Sequence, residues 1–310
     1  MTTSIYRIVY MEDTDCTGVV YHSNYLRWWE QGREALLGQQ KLVDLFESSG
    51  RSFVVCAVEQ TFKHSARLGE RIEIRTIPTV ESKYRLSFNC GVYREGQDDP
   101  LVHGKVDMVC VGRDMKLVAL PEEIANAVGL IDVVVPPKPK ARLPPPKRRP
   151  ASAAPLPAGL PHIHPIEVYY EDTDFTGVVY YAQYYKFCER ARSHMCGMEN
   201  LMNLVQSGIS PVVAAGKITF KEGANYGDLL EIRTVPKIES THRIIFEQTV
   251  VRVGRQTAAD GAVVVPTVLV VAQITLVFVK LDANGATKNL VALPPPLLDE
   301  FRNRYGMDIP

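Results

Sequence analysis

Apolar or small residues fall at Tyr25, Trp28, Trp29, Gly32 and Leu36, and again at Tyr184, Phe187, Cys188, Ala191 and Met195. Both sets step by 0, 3, 4, 7 and 11, the stripe of an amphipathic helix. They predict one long helix in each half of the chain, starting at Asn24 and Gln183. Gly38 and Gly197 stand where each stripe ends, as residues that stop a helix. Elsewhere the period shortens. Arg71-Ile72-Glu73-Ile74-Arg75 alternates polar and apolar, as a strand with one covered face does. Strand-like runs lie at 53–62, 71–80, 84–93 and 101–111, then at 217–220, 229–238, 243–253 and 266–280. A short strand is predicted ahead of each helix, at 6–11 and 167–170. One long helix against about five strands makes each half an α+β unit, its helix packed on one curved antiparallel sheet.

The halves share more than a pattern. Glu12-Asp13-Thr14-Asp15-Cys16-Thr17-Gly18-Val19-Val20-Tyr21 recurs as Glu171-Asp172-Thr173-Asp174-Phe175-Thr176-Gly177-Val178-Val179-Tyr180, at an offset of 159 (174 − 15). After the loss of one residue the offset is 158, and it carries Phe62-Lys63 onto Phe220-Lys221, Gly69 onto Gly227 and Glu73-Ile74-Arg75-Thr76 onto Glu231-Ile232-Arg233-Thr234. Leu117-Val118-Ala119-Leu120-Pro121 is echoed by Leu290-Val291-Ala292-Leu293-Pro294. Matches this long in the same order indicate a duplicated domain. Between the copies, residues 136–165 hold 11 of the 21 prolines together with six Lys and Arg residues. Proline removes backbone donors and fixes φ, so this stretch reads as an extended basic linker. The expected organisation is one domain at 1–132, a linker at 133–165 and a second domain at 166–310.

Charge adds little steering. Lys+Arg and Asp+Glu both number 35, so the net charge is zero and nothing global draws the chain to nucleic acid. The six cysteines form no C-x-x-C pair and suit small buried residues in a reducing compartment. The apolar stretch 262–279 is interrupted by Pro266, Gln273 and Thr275 and reads as a buried strand rather than a membrane helix. The N-terminus lacks the basic and apolar regions of a secretory signal. A cytoplasmic protein without membrane insertion is expected. No Gly-rich phosphate loop and no zinc spacing is present, so no cofactor or metal is expected. His162 and His164 read as linker.

The acidic turn is the candidate chemistry. A carboxylate at the mouth of a helix supplies a nucleophile or base, and backbone N–H groups at that helix N-terminus can hold a developing oxyanion. Asp15 and Asp174 each lie nine residues before the predicted helix start. A bare D-T-D could instead cap a turn. It lacks the further ligands of an EF-hand loop. Asp13 and Asp172 suit a structural role better than their partners.

Residues 10–30 and 169–189, with the later segments 62–70 and 220–228, resemble the 4-hydroxybenzoyl-CoA thioesterase family of hot-dog proteins. The likeness is greatest to its Tol-Pal-associated acyl-CoA thioesterase branch. The resemblance implies a tandem hot-dog fold, two long helices against a joint sheet, forming an intramolecular pseudo-dimer; further homo-oligomerisation is left open. It implies an acyl-CoA thioesterase, with a thioester of CoA or of an acyl carrier protein as substrate and catalysis where the units meet. Asp15 and Asp174 would act on the carbonyl, by direct attack or through water, and the backbone N–H of His22 and Tyr181 would polarise it. His22, Tyr181 and Tyr170 are the flanking polar candidates. Gly18, Val19, Val20 and Tyr21, with Gly177, Val178, Val179 and Tyr180, would line the substrate. His22 makes the Asp15 copy the favoured one of two unequal sites. Glu30/Arg33 and Glu189/Arg192 are expected to pair on the helix surface. Two alternatives stay open: a hydratase or dehydratase acting on thioesters, and a non-catalytic thioester-binding scaffold.

Overall fold

A computed structural model of the chain describes residues 2–128, 161–255, 265–281 and 287–306. The first half runs β1 (Thr3–Ile8), α1 (Asn24–Leu37), α2 (Gln39–Ser49), β2 (Ser52–Phe62), β3 (Arg71–Ser82), β4 (Arg85–Arg94), β5 (Pro100–Val111) and α3 (Glu122–Ala127). The second repeats that order as β6 (His162–Glu167), α4 (Gln183–Cys196), α5 (Met198–Gln206), β7 (Ile209–Phe220), β8 (Asp228–Ser240), β9 (Arg243–Arg255), β10 (Thr267–Leu281), β11 (Thr287–Val291) and α6 (Pro295–Tyr305), with β11 as an addition.

All described strands join one antiparallel sheet in the order β1-β3-β4-β5-β2-β7-β10-β9-β8-β6, with β11 also paired to β10. The order is a palindrome in structural terms, because β2 and β7, counterparts in the two halves, meet at its centre. They pair from Ala57↔Thr219 to Thr61↔Ala215, with Glu59 opposite Lys217. Those two are themselves counterparts (217 − 59 = 158), so the pseudo-two-fold axis passes through this pair. Their side chains form an exposed ion pair at 2.5 Å.

Each long helix lays its stripe on this sheet. Tyr25, Trp28 and Trp29 of α1, and Tyr184, Phe187, Cys188, Ala191 and Met195 of α4, are all buried. A large apolar side chain taken out of water in this way contributes roughly 1.5–3 kcal/mol. Both helices end where expected, at Gly38 (φ 88°) and Gly197 (φ 82°), in a left-handed conformation that glycine adopts without strain. What the stripes concealed is that a second helix starts at once. Gly38 closes α1 and opens α2; Gly197 does the same for α4 and α5.

The second half enters the sheet earlier than the sequence suggested. β6 begins at His162, inside the segment assigned to the linker, and ends at Glu167 where the predicted strand began. Pro165 fits because β6 is the sheet's outer edge, where a missing N–H on the solvent side costs no ladder bond. His162 bonds the Tyr305 hydroxyl at 3.0 Å, and His164 stacks on His194 at 4.4 Å, so both histidines belong to the domain. Residues 133–160 of the expected linker lie outside the described residues. The apolar run near 270 is a strand, β10, as read. Among the described residues no helix is long and apolar enough to cross a membrane.

Candidate active site

The two acidic turns fold alike from local rules. A single 3₁₀ turn, Met11–Asp13 or Tyr170–Asp172, delivers the first aspartate inward. Asp172 is buried; it accepts the Tyr169 N–H at 3.0 Å and the Gln183 amide at 3.2 Å, and its carbonyl accepts the Tyr180 N–H at 2.8 Å. Asp13 does the same with Tyr10 N–H, Arg7 and Tyr21 N–H. These aspartates hold the turn, in keeping with the structural role expected of them.

The second aspartate is presented rather than buried. The Asp174 N–H bonds the Val178 carbonyl, and Gly177 N–H closes back on the Asp174 carbonyl, both at 2.9 Å. Gly177 (φ 83°) and Gly18 (φ 78°) are required for that φ and not for space, since an added Cβ would meet nothing within 4 Å. One carboxylate oxygen of Asp174 is held by Thr176 N–H (2.8 Å) and Thr176 hydroxyl (2.5 Å). Thr17 holds Asp15 with the same two distances. Each threonine fixes the carboxylate's orientation while the other oxygen stays available. The following segment is pinned from behind. Val179 N–H bonds the Ala224 carbonyl, and Ala224 N–H bonds the Tyr184 hydroxyl on α4; Val20, Ala66 and Tyr25 repeat this. This is what the alanine in the segments 62–70 and 220–228 does. Just ahead of each helix, the N–H groups of His22 and Tyr181 meet no protein acceptor among the described residues.

The copies diverge in what faces them. A cavity of about 850 Å³ opens at Asp174, Phe175 and Thr176 and runs into the first half, between α2 and the beginnings of β2 and the end of β5. Val178, Val179, Tyr180 and Tyr181 line it, as do Glu30 and Arg33 of α1. The halves interlock here. The Tyr180 hydroxyl donates to Glu30, the Tyr181 hydroxyl donates to the Leu26 carbonyl at 2.7 Å, and Arg33 donates to the Tyr181 oxygen at 3.2 Å. Burial raises the pKa of Glu30, opposed by Arg33 and the Tyr180 bond. Burial pushes Tyr181 up to about 12.

The cavity's lining does not include Asp15. There Glu189 accepts from Ser193 of its own helix at 2.7 Å, and Arg192 donates to Gln248 at 2.7 Å. His22 lies against Tyr21 and Tyr185 at ring separations of 4.5 and 6.1 Å. Burial, aided by Arg192, lowers its pKa to about 3, so it is a neutral imidazole at ordinary pH.

His22 favours the Asp15 copy by sequence, whereas the cavity lies at the Asp174 copy. The lining also differs from the expectation by residue. Val178, Val179, Tyr180 and Tyr181 are at the cavity with Asp174, whereas Tyr170 stands on the surface, stacked on Tyr226 at 4.1 Å. The arginines at i+3 from the helix glutamates are buried, not paired on a solvated face. Missed altogether were Glu30 as a partner for Tyr180 and Phe46 of α2, whose ring meets Phe175 edge-on at 5.3 Å. The only sequence signal for the second was a difference between the copies, Phe175 against Cys16. Among the described residues no group of His, Cys, Asp and Glu is arranged to hold a metal.

A model of the thioesterase-like superfamily matches residues 9–128 and 168–303. The acyl-CoA thioesterase YbgC of Helicobacter pylori is 40% identical over 82 residues, covering 26% of this chain and 61% of that protein. The chain thus spans about three fifths of that relative's length. The acyl-CoA thioester hydrolase YbgC of Escherichia coli O157:H7 is 33% identical over 103 residues, covering 33% of this chain and 77% of that one. Among solved structures, the 12:0-ACP thioesterase from Umbellularia californica aligns over 89% of this chain and 93% of its own with a TM-score of 0.63. Its identity is 9%, so that likeness is one of fold.

Proposed function

Since the chain belongs to the thioesterase-like superfamily, we propose that it is an acyl-CoA thioesterase whose working site is at Asp174. The relatives named acyl-CoA thioesterases support the reaction class. The cavity that Asp174 shares with the first half is the observation that carries the choice of site. The acyl group enters the cavity and the thiol carrier, CoA or an acyl carrier protein, remains at its mouth. The thioester carbonyl then lies between Asp174 and the Tyr181 N–H. That N–H, at the positive end of α4, takes the charge that develops on oxygen. Asp174 either attacks the carbonyl carbon, so that the C–S bond breaks to leave a mixed anhydride that water then hydrolyses to the acid, or removes a proton from the water that attacks, so that the C–S bond breaks directly to the acid. In both cases the departing thiolate takes up a proton and leaves as free thiol. Thr176 keeps the carboxylate aimed throughout.

On this reading the two units, 1–132 and 166–310 with the strand at His162 joined to the second, form a pseudo-dimer in the cytoplasm. The second unit supplies the reacting groups and the first supplies the container. Asp15, with His22, retains the turn outside that cavity.

Thiol release over a panel of acyl-CoAs tests this. Asp174→Asn should cut turnover by about 10²–10⁴-fold, the usual worth of a positioned base, and Asp15→Asn should leave most of it. Equal losses in the two variants would overturn the choice of site. Wild-type protein that releases no thiol from any acyl-CoA or acyl carrier protein would overturn the function.

A further inference from the structure

α2 and α5 hold the same place in their halves, each hinged to the long helix by a left-handed glycine, yet they meet the sheet differently. α5 buries Leu204 in a cluster with Phe246, Phe278 and Phe301. No residue of α2 is buried. Counterpart residues of the two halves differ as well. Met108 faces Leu86 as Leu276 faces Ile244, so two residues on, Cys110 matches Phe278. Pro121 and Pro294 precede α3 and α6, so seven residues on, Val128 matches Phe301. Two phenylalanines therefore fill the second half where the first has a cysteine and a valine. In the first half the helix stands off, and the space under it is the cavity. Leu42, Leu45 and Phe46 form its roof, and Val55 and Met108 are in its floor. The wall given by α2, β2 and β5 is apolar except for Gln39, Ser52 and Cys56, and offers no charged partner. Phe46 also touches Phe175, the residue after Asp174, so roof and reacting carboxylate share one mouth.

We propose that the space beneath α2 receives an extended, uncharged aliphatic acyl chain and that Leu45 and Phe46 set the chain length accepted. This rests on the thioesterase reading above. A space of this size exceeds what an acetyl group can fill and lies in the range that buries most of a drug-sized ligand. A long chain covers more apolar wall and gains in proportion to the area removed from water.

The test compares kcat/KM for acetyl-, hexanoyl- and palmitoyl-CoA. Wild-type protein should prefer palmitoyl-CoA. Leu45→Phe, which puts bulk where the second half is filled, should lower the palmitoyl-to-hexanoyl ratio at least tenfold. Val55→Phe from the floor should do the same, so a folding failure of either variant leaves the other to decide. Calorimetry on Asp174→Asn separates this from the reaction itself. Tighter binding of palmitoyl-CoA than of CoA, lost on adding Leu45→Phe, supports the site even if no thioester is hydrolysed. An unchanged ratio in both filled variants, or equal binding of palmitoyl-CoA and CoA, overturns the proposal.

Discussion

At the scale of single residues, the two copies of one position have taken opposite routes. Tyr181 joins the halves through Leu26 and Arg33, whereas His22, its counterpart, sits half-buried and neutral beside Arg192. A histidine held at about 3 when folded but near 6.5 when unfolded binds fewer protons in the native state across that interval. Stability therefore rises with pH from about 3 to 6.5 and is progressively lost as the solution is acidified below 6.5. Between pH 7 and pH 5 the His22 contribution to that loss is about 2 kcal/mol. Urea unfolding at the two pH values should show a drop smaller by about this amount in His22→Phe than in wild type. Equal drops would mean that His22 titrates normally. The buried arginines diverge in the same way. Arg192 has Gln248 to bond, while Arg33, facing Cys90 at the matching place on β4, turns to Tyr181 of the other half. Neither difference lies in the motif itself.

At the scale of elements, the packing of α2 and α5 should be visible in stability. Leu204→Ala removes a buried side chain from a closed cluster and should cost about 2–4 kcal/mol. Leu45→Ala, at the matching place over the cavity, should cost under about 1 kcal/mol, because water or substrate space already adjoins it. Denaturant midpoints at constant m-value check both; equal costs would contradict the stand-off of α2. The contrast also marks what the sequence could convey. The long helices, their start and stop, most strands and the acidic turns were legible because each depends on local rules: the 3.6 period, a left-handed glycine, an Asp–Thr turn. The cavity was not, because it depends on how closely a helix packs on strands distant in sequence, and no local pattern in α2 reports that. α2 and α5 escaped because one glycine both ends and begins a helix. The first residues of β7 escaped because Ile209–Phe220 opens half-buried on every residue but one and so shows no alternation there.

At the scale of the whole molecule, the halves share a continuous sheet and interlocking side chains, so their union should outlast the covalent link. A protease site introduced into 133–160 and then cut should yield two fragments that co-elute and melt in one transition. Separation on a sizing column without denaturant would show that the chain connection, not the shared sheet, holds them. The axis pair gives that union a direction. In a true homodimer the residue on a two-fold axis faces its own copy, so a first-half pair would set Glu59 against Glu59 and a second-half pair Lys217 against Lys217. Like charges directly opposed across a sheet are unfavourable, and opposite ones are tolerated or better. Glu59 and Lys217 thus work as a mating code: at this point each half is a poorer match for its own kind than for its sibling, which discourages strand-to-strand mispairing between neighbouring chains.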